Sequence, residues 1–530
     1  MSKQPPSIFN DVIGPIMRGP SSSHTAAAVR IGHLLRQFHD GKIKHYLIEF
    51  TPSGSLATTY STQGSDFGLV GGLLGMDTAD PGLTAALTTA AKVGLKVEFK
   101  ISDYEAPHPN TYRIRAQKTI EAEDLLTFIS TGGGMIKLID INGFATAIDG
   151  DYFETLLFFH KMDEKKANLL KEKLIKQLDS SELIFTSYAG SDVLIDIKSR
   201  TPLSDIEKEM LLALPGLIKM ASLDPVLPVL SSRILKVPFT SAGEILKNQN
   251  QNQKLKLKNT ADLAIIYEMA RGGMSKEEVM AQGRILVKVM RGAIEEGLAG
   301  TKYADRILGP QAAKMLNYKG KLVGGQLIKR LIAYNTALME TKSAMGVIVA
   351  APTAGSCAAL PGTLLAVADE HNHTEEDVVK ALLTAGLIGV FIAARSTFAA
   401  EECSCQAECG SGSGMAAAAL VQLAGGSVTQ VFNAASIALQ NLLGLACDPV
   451  ANRVEVPCLG KNIAAGTNAL AAADMALVGY DPVIPLDQTI DAQDQVGRLM
   501  PPELCCTGKA GLAMTPASLE LAEKMQKNIK

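Results

Sequence analysis

Three cysteines in the last third of the chain are the residues best suited to carry chemistry. Cys405, Cys447 and Cys458 are separated by 42 and 11 residues, and none of the eight cysteines precedes Cys357. Thiolates brought together from separate segments suit a soft metal or an iron–sulfur cluster. A four-iron cluster normally takes four cysteines, so three would leave one iron open as a Lewis acid for a substrate oxygen.

The cysteine spacing leaves two other interpretations open. Free cysteine is among the residue types most often buried, so the three thiols could simply pack in a core. Zinc is a competing metal, although the short C-x₂-C pairs typical of structural zinc sites do not occur in the sequence. Spacing alone therefore does not decide between metal ligation and core packing.

A second candidate site is the stretch GPSSSHT near the N-terminus, which reads as a loop leading into a helix. The hydroxyls of Ser22, Ser23 and Thr25, with the free N–H groups of a helix start, would suit an amino-acid carboxylate. His24 would lie at the edge of this site, where an imidazole can transfer protons. The alternative is a serine-rich helix cap with a solvated histidine.

A third candidate is APTAGSCAALPG, residues 351–362, which interrupts a run of helices. Thr353, Gly355 and Ser356 would form a loop whose N–H groups cradle a carboxylate. An ordinary helix–helix connection explains the same residues. Asn462, in an alanine-rich helix after Cys458, either points at the site or caps a neighbouring segment.

Composition bounds the class of protein. The 530 residues predict two to four domains, and 47% of them are hydrophobic. A net charge of −3 excludes a basic field for nucleic acid or a membrane surface. The apolar stretch 343–368 is broken by Pro352 and Pro361, so we predict a buried loop and helix instead of a membrane span. Reduced cysteines and an N-terminus without a signal-peptide core predict a cytoplasmic protein.

The predicted architecture combines α/β and all-α parts. Residues 1–147 read as an α/β domain, and residues 148–228 as a βαββαβ ferredoxin-like unit similar to an ACT regulatory domain. Residues 229–258, with the polar run KNQNQNQKLKLKN, read as a linker. From residue 259 to 530, apolar residues recur at helical spacing and predict an α-helical domain that carries the cysteines.

The segments around the thiols, SCQAE, LACDPV and VEVPC, resemble the iron–sulfur L-serine dehydratases. GPSSSHT and APTAGS occur in the order of that family. The resemblance implies a [4Fe–4S] cluster on Cys405, Cys447 and Cys458, with one iron open. It also implies that the two loops and Asn462 bind a small amino-acid substrate, that His24 lies near the cluster, and that L-serine is converted to pyruvate and ammonia. We expect a homodimer.

One departure from the family pattern concerns a histidine. The family typically has G-H-x-T-D after a Gly-Ser-Leu turn, whereas this chain has Gln63 or Gly64 at the histidine and Ser65 at the threonine. Only Asp66 matches. Three alternatives therefore stay open: a lyase for L-threonine, L-cysteine or another β-substituted amino acid, a cluster-bearing sensor, and an electron carrier. The resemblance places no cluster ligand at Cys357, Cys403 or Cys409, although Cys403 could compete with Cys405.

Overall fold

A computed structural model describes the chain and shows sheets and helices in its N-terminal part and helices in its C-terminal part. This mixed architecture was predicted from the sequence. The described residues are 4–119, 122–178, 180–251, 259–303 and 306–529.

In those ranges the strands are β1 Ile16–Met17, β2 His45–Phe50, β3 Lys96–Ile101, β4 Thr111–Gln117, β5 Glu123–Gly132, β6 Met135–Ile141, β7 Phe144–Ile148, β8 Phe153–Phe159, β9 Ser181–Ala189, β10 Asp192–Ser199, β11 Leu217–Leu223 and β12 Ile348–Val349. The α-helices are α1 Ala27–Phe38, α2 Leu56–Thr59, α3 Ser65–Leu74, α4 Ala86–Lys92, α5 Glu164–Gln177, α6 Asp205–Leu212, α7 Ala242–Gln251, α8 Thr260–Gly272, α9 Lys276–Ala299, α10 Ala312–Asn317, α11 Gly325–Ser343, α12 Ala359–Glu370, α13 Glu375–Arg395, α14 Ala400–Cys405, α15 Ser411–Leu423, α16 Val428–Gln440, α17 Cys458–Leu477, α18 Leu486–Leu499 and α19 Pro516–Ile529.

The first sheet has the strand order β3-β2-β4-β5-β6-β7, and its strands are antiparallel except for the parallel pair β2 and β3. Burial alternates residue by residue along β5, as it must when one face of a strand packs on a core and the other does not. Helices α1 and α3 cover the buried face. They lie very close together, because a Cβ atom at Gly72 would collide with the carbonyl of Val29.

The second sheet has the order β11-β8-β10-β9 and is antiparallel throughout. Its elements follow one another as strand, helix, strand, strand, helix and strand, with α5 and α6 as the helices. Leu174 of α5 and Leu211 of α6 are fully buried against the sheet, and most other residues of these helices face outward.

The predicted linker, residues 229–258, is partly helical, because α7 lies within it. Ile245 is fully buried in the core of the helical region, and the backbone N–H groups of Ala242 and Gly243 donate to Asp487 at 3.1 and 2.8 Å. Val229, Phe239 and Ala242 of the same segment are buried in that core too, so the polar composition of the segment concealed several apolar anchors. Residues 252–258 of the polar run lie outside the described residues.

Helices α8 to α18 share one large core. Helix α13 lies within it, packed against α8, α9, α15 and α18. Of the described helices, α13 is the one long and apolar enough to cross a membrane, but 83% of its most apolar window is buried inside the protein, so it is a core helix. The apolar stretch 343–368 forms a loop, β12 and the first part of α12, and these are largely buried.

The N-terminal segment joins the two regions. Ile8 and Val12 are fully buried among the helices and pack where Gly386 and Gly389 of α13 have no side chain. The short strands β1 and β12 then pair with each other. Residues assigned from sequence to the N-terminal α/β part therefore contribute to the helical core.

Candidate functional site

The predicted ligand cysteines come from three elements that meet in the helical region. Cys405 ends α14, Cys458 begins α17, and Cys447 forms a parallel β-bridge with Cys505. Cys405 and Cys447 share a small buried cluster with two further thiols, Cys409 and Cys506, and Cys405 also acts electrostatically on Cys447 and Cys458. All eight cysteines are free thiols.

Burial and contact with other thiols favour the protonated forms of Cys447 and Cys458. A hydrogen bond with Cys506, together with burial, raises the pKa of Cys447 well above its ordinary value. Burial raises the pKa of Cys458 to about 12, and nearby Cys405 adds to the effect. Burial lowers the pKa of Lys461, but Cys405 and the hydrogen-bonded Asp448 outweigh burial and raise it. The site therefore holds a permanent cation beside thiols that a metal could deprotonate.

The backbone is strained beside the thiols. Ser404, Ala451, Asn452 and Cys506 have φ values of 61°, 50°, 56° and 59°, in the left-handed region that non-glycine residues avoid. The Ser404 hydroxyl donates to the carbonyl of Leu504 at 2.7 Å and so fixes one of these turns. Such strain persists only where the surroundings impose it, and it concentrates at functional sites.

The donor set consists of neighbouring buried thiols. In the described ranges, no three His, Cys, Asp or Glu side chains converge as ligands of one metal ion. Thiols from separate segments are the ligands that a soft metal or an iron–sulfur cluster takes. The chemistry of these residues is therefore compatible with such a group.

The serine-rich turn connects the sheet region to the thiols. Residues 22–26 form a wide helical turn that leads directly into α1. The Ser22 hydroxyl accepts the N–H of Ala354 at 3.2 Å, and the Ser23 hydroxyl donates to Glu401 at 2.7 Å. Thr25 donates to the carbonyl of Gln63 at 2.9 Å. Ser22, Ser23 and Thr25 thus bind three different segments instead of capping one helix.

His24 is fully buried, so the solvated alternative is wrong. Its Nδ1 lies 2.9 Å from the Ser21 hydroxyl and its Nε2 lies 2.8 Å from the Thr59 hydroxyl. Because Thr59 donates its own proton to the carbonyl of Ser55, it accepts from Nε2–H, which leaves Nδ1 to accept from Ser21. Burial lowers the pKa of His24, although Glu401 opposes this. His24 is therefore a neutral imidazole with both nitrogens engaged.

The loop 353–356 lies against the serine-rich turn on one side and a glutamate on the other. The hydroxyls of Thr353 and Ser356 are 3.2 Å apart, and each residue's backbone N–H points to the hydroxyl of the other. Thr353 also donates to Oε1 of Glu408 at 2.6 Å. Burial raises the pKa of Glu408 to about 7. A Cβ atom at Gly355 would lie 2.7 Å from this carboxylate, so only glycine leaves room for it.

Asn462 caps α12 and holds the same loop. Its Oδ1 accepts the N–H groups of Ala358 and Ala359 at 3.1 and 2.9 Å. Its Nδ2 donates to the carbonyls of Gly355 and Cys458 at 2.8 and 2.9 Å. The capping interpretation of Asn462 is correct, and the cap fixes the loop 353–356 to the start of α17.

Sequence reasoning missed two acidic residues of this site. Glu401 and Glu408 flank Cys405 and are directed at the two predicted substrate loops. Glu408 is half-buried, whereas Glu401 is buried. Three glutamates within the short cysteine-rich segment EECSCQAEC, two of them Glu401 and Glu408, were the available signal.

The residue at the missing family histidine also faces the thiols. The Gln63 amide nitrogen lies 3.9 Å from Sγ of Cys506, and the Ser55 hydroxyl donates to the Cys506 carbonyl at 3.2 Å. Gly64 instead has a φ of 86° and is the residue that precedes α3. Burial raises the pKa of the neighbouring Asp66 to about 6. Of the two candidates for the histidine position, Gln63 therefore contacts the thiol cluster.

A cavity of about 270 Å³ lies between the residues that precede the serine-rich turn and those that lead to Cys458. Its lining from the N-terminal part includes Pro20, Ser61 and Phe67. Its lining from the helical part includes Arg453 and Glu455. Neither the cysteines nor the predicted substrate-binding residues are among the residues that line this cavity.

Comparison with known proteins gives a consistent result. The family model for the serine dehydratase alpha chain matches residues 240–513. The chain is 41% identical over 289 residues to the probable L-serine dehydratase alpha chain of Bacillus subtilis (strain 168); the match covers 54% of this chain and 95% of that protein. It is 36% identical over 255 residues to the L-serine dehydratase alpha chain of Peptoniphilus asaccharolyticus, over 48% of this chain and 87% of that protein. It is also 40% identical over 146 residues to the probable L-serine dehydratase beta chain of Bacillus subtilis (strain 168), over 28% of this chain and 64% of that protein. The family match contains all eight cysteines.

Proposed function

The chain belongs to the serine dehydratase alpha-chain family, and on this basis we propose that it dehydrates and deaminates L-serine to pyruvate and ammonia. One observation carries the proposal most strongly. Cys405, Cys447 and Cys458 come from separate segments, and their surroundings are tied to both predicted substrate loops. Core packing of the thiols alone would not require Ser23 and Thr353 to reach glutamates on either side of Cys405.

In this proposal Cys405, Cys447 and Cys458 hold a [4Fe–4S] cluster. When bound, the cluster would supply a Lewis-acidic iron for the substrate hydroxyl and so make it a better leaving group. Lys461 contributes a positive charge next to Cys405 that offsets the negative charge of the thiolates. Because metal binding must displace thiol protons in this buried setting, iron loading should be coupled to proton release.

The substrate would be held by residues of both regions. Ser22, Ser23 and Thr25 line one side, and the loop with Thr353, Gly355 and Ser356 lines the other. Asn462 contributes by fixing the shape of that loop. The burial of these groups excludes bulk water, which strengthens hydrogen bonds to a substrate carboxylate. His24 remains the sequence-based prediction for proton transfer.

A related substrate is the second candidate. Gln63, which replaces the family histidine, faces Cys506 with a neutral amide where an imidazole could titrate. This difference favours a test of L-threonine, L-cysteine and other β-substituted amino acids beside L-serine. The sensor and electron-carrier alternatives predict that none of these is turned over.

The middle region, residues 148–228, supports an effector-binding role. Its strand order β11-β8-β10-β9, with two helices in βαββαβ succession, is compatible with a ferredoxin-like, ACT-like unit. We infer a cytoplasmic homodimer in which this unit is regulatory. Mass measurement in solution tests the dimer, and titration of L-serine and of pyruvate against activity tests the regulation.

The decisive experiment is anaerobic purification with counting of iron and sulfide, followed by a substrate panel. We expect about four irons and four sulfides per chain and release of pyruvate and ammonia from L-serine in equal amounts. Zinc in place of iron would overturn the cofactor proposal. Iron-loaded protein inactive on every amino acid of the panel would overturn the catalytic one.

A further inference from the structure

Glu408 occupies a special place in the thiol site. It lies on the wide helical turn Gln406–Gly410, three residues after Cys405. Turns of this kind are uncommon and are often found at functional sites. Glu408 is half-buried, and so is Cys458. The side chain of Glu408 is therefore not closed off by packing.

The contacts of Glu408 direct its carboxylate over the predicted substrate loop. The Thr353 hydroxyl donates to Oε1 at 2.6 Å. The Gly355 backbone lies directly beneath the group, because a Cβ there would be 2.7 Å from Oε1 and 3.0 Å from Oε2. Within the described part of the chain, Oε2 receives no protein hydrogen bond. Glu408 is thus held at one oxygen and can accept a proton at the other.

The other titratable candidates are already engaged. His24 donates from Nε2 to Thr59 and accepts at Nδ1 from Ser21, so neither nitrogen is left for a substrate proton. Glu401 accepts from Ser23 at 2.7 Å and lies 3.6 Å from Nδ1 of His24. The cations that act on Glu408 are Lys342 and Lys461, while Glu401 is the opposing anion. Lys342 donates to the carbonyl of Val454 and Lys461 to Asp448.

We propose that Glu408 is the catalytic base that removes the Cα proton of the substrate and returns it to the departing hydroxide. This inference rests on the proposed dehydration of L-serine. The electrons of the Cα–H bond form the Cα–Cβ double bond, the Cβ–O bond breaks, and the oxygen leaves as water with the proton carried by Glu408. The resulting 2-aminoacrylate tautomerises and hydrolyses to pyruvate and ammonia. His24 and Glu401 are positioning residues that hold the serine-rich turn against α14.

The first test is Glu408→Gln in the reconstituted full chain. We expect iron content and the brown absorption to stay at the parent level while kcat for L-serine falls about 10² to 10⁴-fold, the usual contribution of a general base. KM should change little, and Cα-deuterated L-serine should show a primary isotope effect. Glu340→Gln is the matched control, because Glu340 is a buried glutamate outside the site that accepts the N–H of Gln311.

Three results separate the possibilities. A kcat within tenfold of the parent, or a loss confined to KM, would overturn the role of Glu408 as base, and the KM result would point to binding of the substrate ammonium. If Glu408→Gln fails to hold iron, Glu408→Asp is the second test. The proposal requires that Glu408→Asp hold iron and have a lower kcat than the parent enzyme, and a kcat equal to that of the parent would refute it. Failure of the proposed function is distinct, since the parent enzyme itself would then not turn over L-serine.

Discussion

Replacing Gly355 by alanine isolates the contact between the substrate loop and Glu408. The φ of Gly355 lies outside the left-handed region, so alanine introduces no backbone strain there. Its methyl group would lie 2.7 Å from one carboxylate oxygen and 3.0 Å from the other, at least 0.7 and 0.4 Å closer than ordinary contact. Because the loop is fixed by Asn462 and the serine-rich turn, we expect the Glu408 carboxylate to move.

The size of the effect follows from that displacement. A misplacement of about 1 Å in a reacting group can cost roughly 10²-fold in rate, or about 2.7 kcal/mol of barrier. We therefore expect Gly355→Ala to lower kcat for L-serine by about 10 to 100-fold at unchanged iron content. The assay is pyruvate release, normalised to iron in each preparation. Gly292→Ala is the control, because Gly292 is in α9 and a Cβ there meets nothing within 4 Å.

A double-variant cycle shows whether the loss passes through Glu408. If alanine acts by displacing this carboxylate, adding Gly355→Ala to Glu408→Gln should cost much less than it costs in the parent enzyme. Independent, additive losses would mean that the methyl group harms substrate binding instead. Full activity of Gly355→Ala would refute the assigned position of Glu408 in the site.

Three further predictions concern the thiols, the cap and pH. Iron counting and the serine assay should show that Cys447→Ala loses both iron and turnover. Cys506→Ser is the control, because it changes the thiol that contacts Cys447 but lies outside the proposed ligand set, and it should keep its iron. The reverse pattern would revise the ligand set. Asn462→Ala should lower the midpoint of thermal unfolding, because two N–H groups at the start of α12 lose their acceptor. We expect the loss of this cap to cost about 1 kcal/mol or more of folding free energy. An unchanged midpoint would contradict this. Burial raises the pKa of Glu268 from 4.5 to about 7, so its stabilising proton is present below pH 4.5 and is lost as pH rises through 7. Thermal melting should show stability falling between about pH 4.5 and pH 7, and Glu268→Gln should flatten that slope.

The sequence was sufficient to identify the family but not to choose among neighbouring thiols. The segments around Cys405, Cys447 and Cys458 identify the family, and all three come together. Cys409 and Cys506, however, lie in the same buried cluster, and no spacing rule indicates that a thiol 101 residues after Cys405 returns to it. Long-range packing decides this, and it is carried by pairings such as the bridge between Cys447 and Cys505.

Two segments differ from what their composition alone suggests. Serine hydroxyls are polar, so a histidine among them could be solvated, yet His24 is buried with a partner at each nitrogen, which removes the cost of burying it. Residues 229–258 contain a polar run, yet Val229, Phe239 and Ile245 of this segment are buried in the helical core. In both cases composition reports the average of a segment, whereas a few specific contacts determine its structure.

The site belongs to neither region alone. Ser22 and Ser23 come from the sheet region and bond to Ala354 and Glu401 of the helical region. On the opposite side of the thiols, Gln63 reaches Cys506. Removing one partner of such a buried pair leaves the other unsatisfied, at about 1 to 3 kcal/mol each. The same contacts that join the two regions therefore hold the site residues in place, so a variant that loosens the interface should weaken substrate binding before it releases iron.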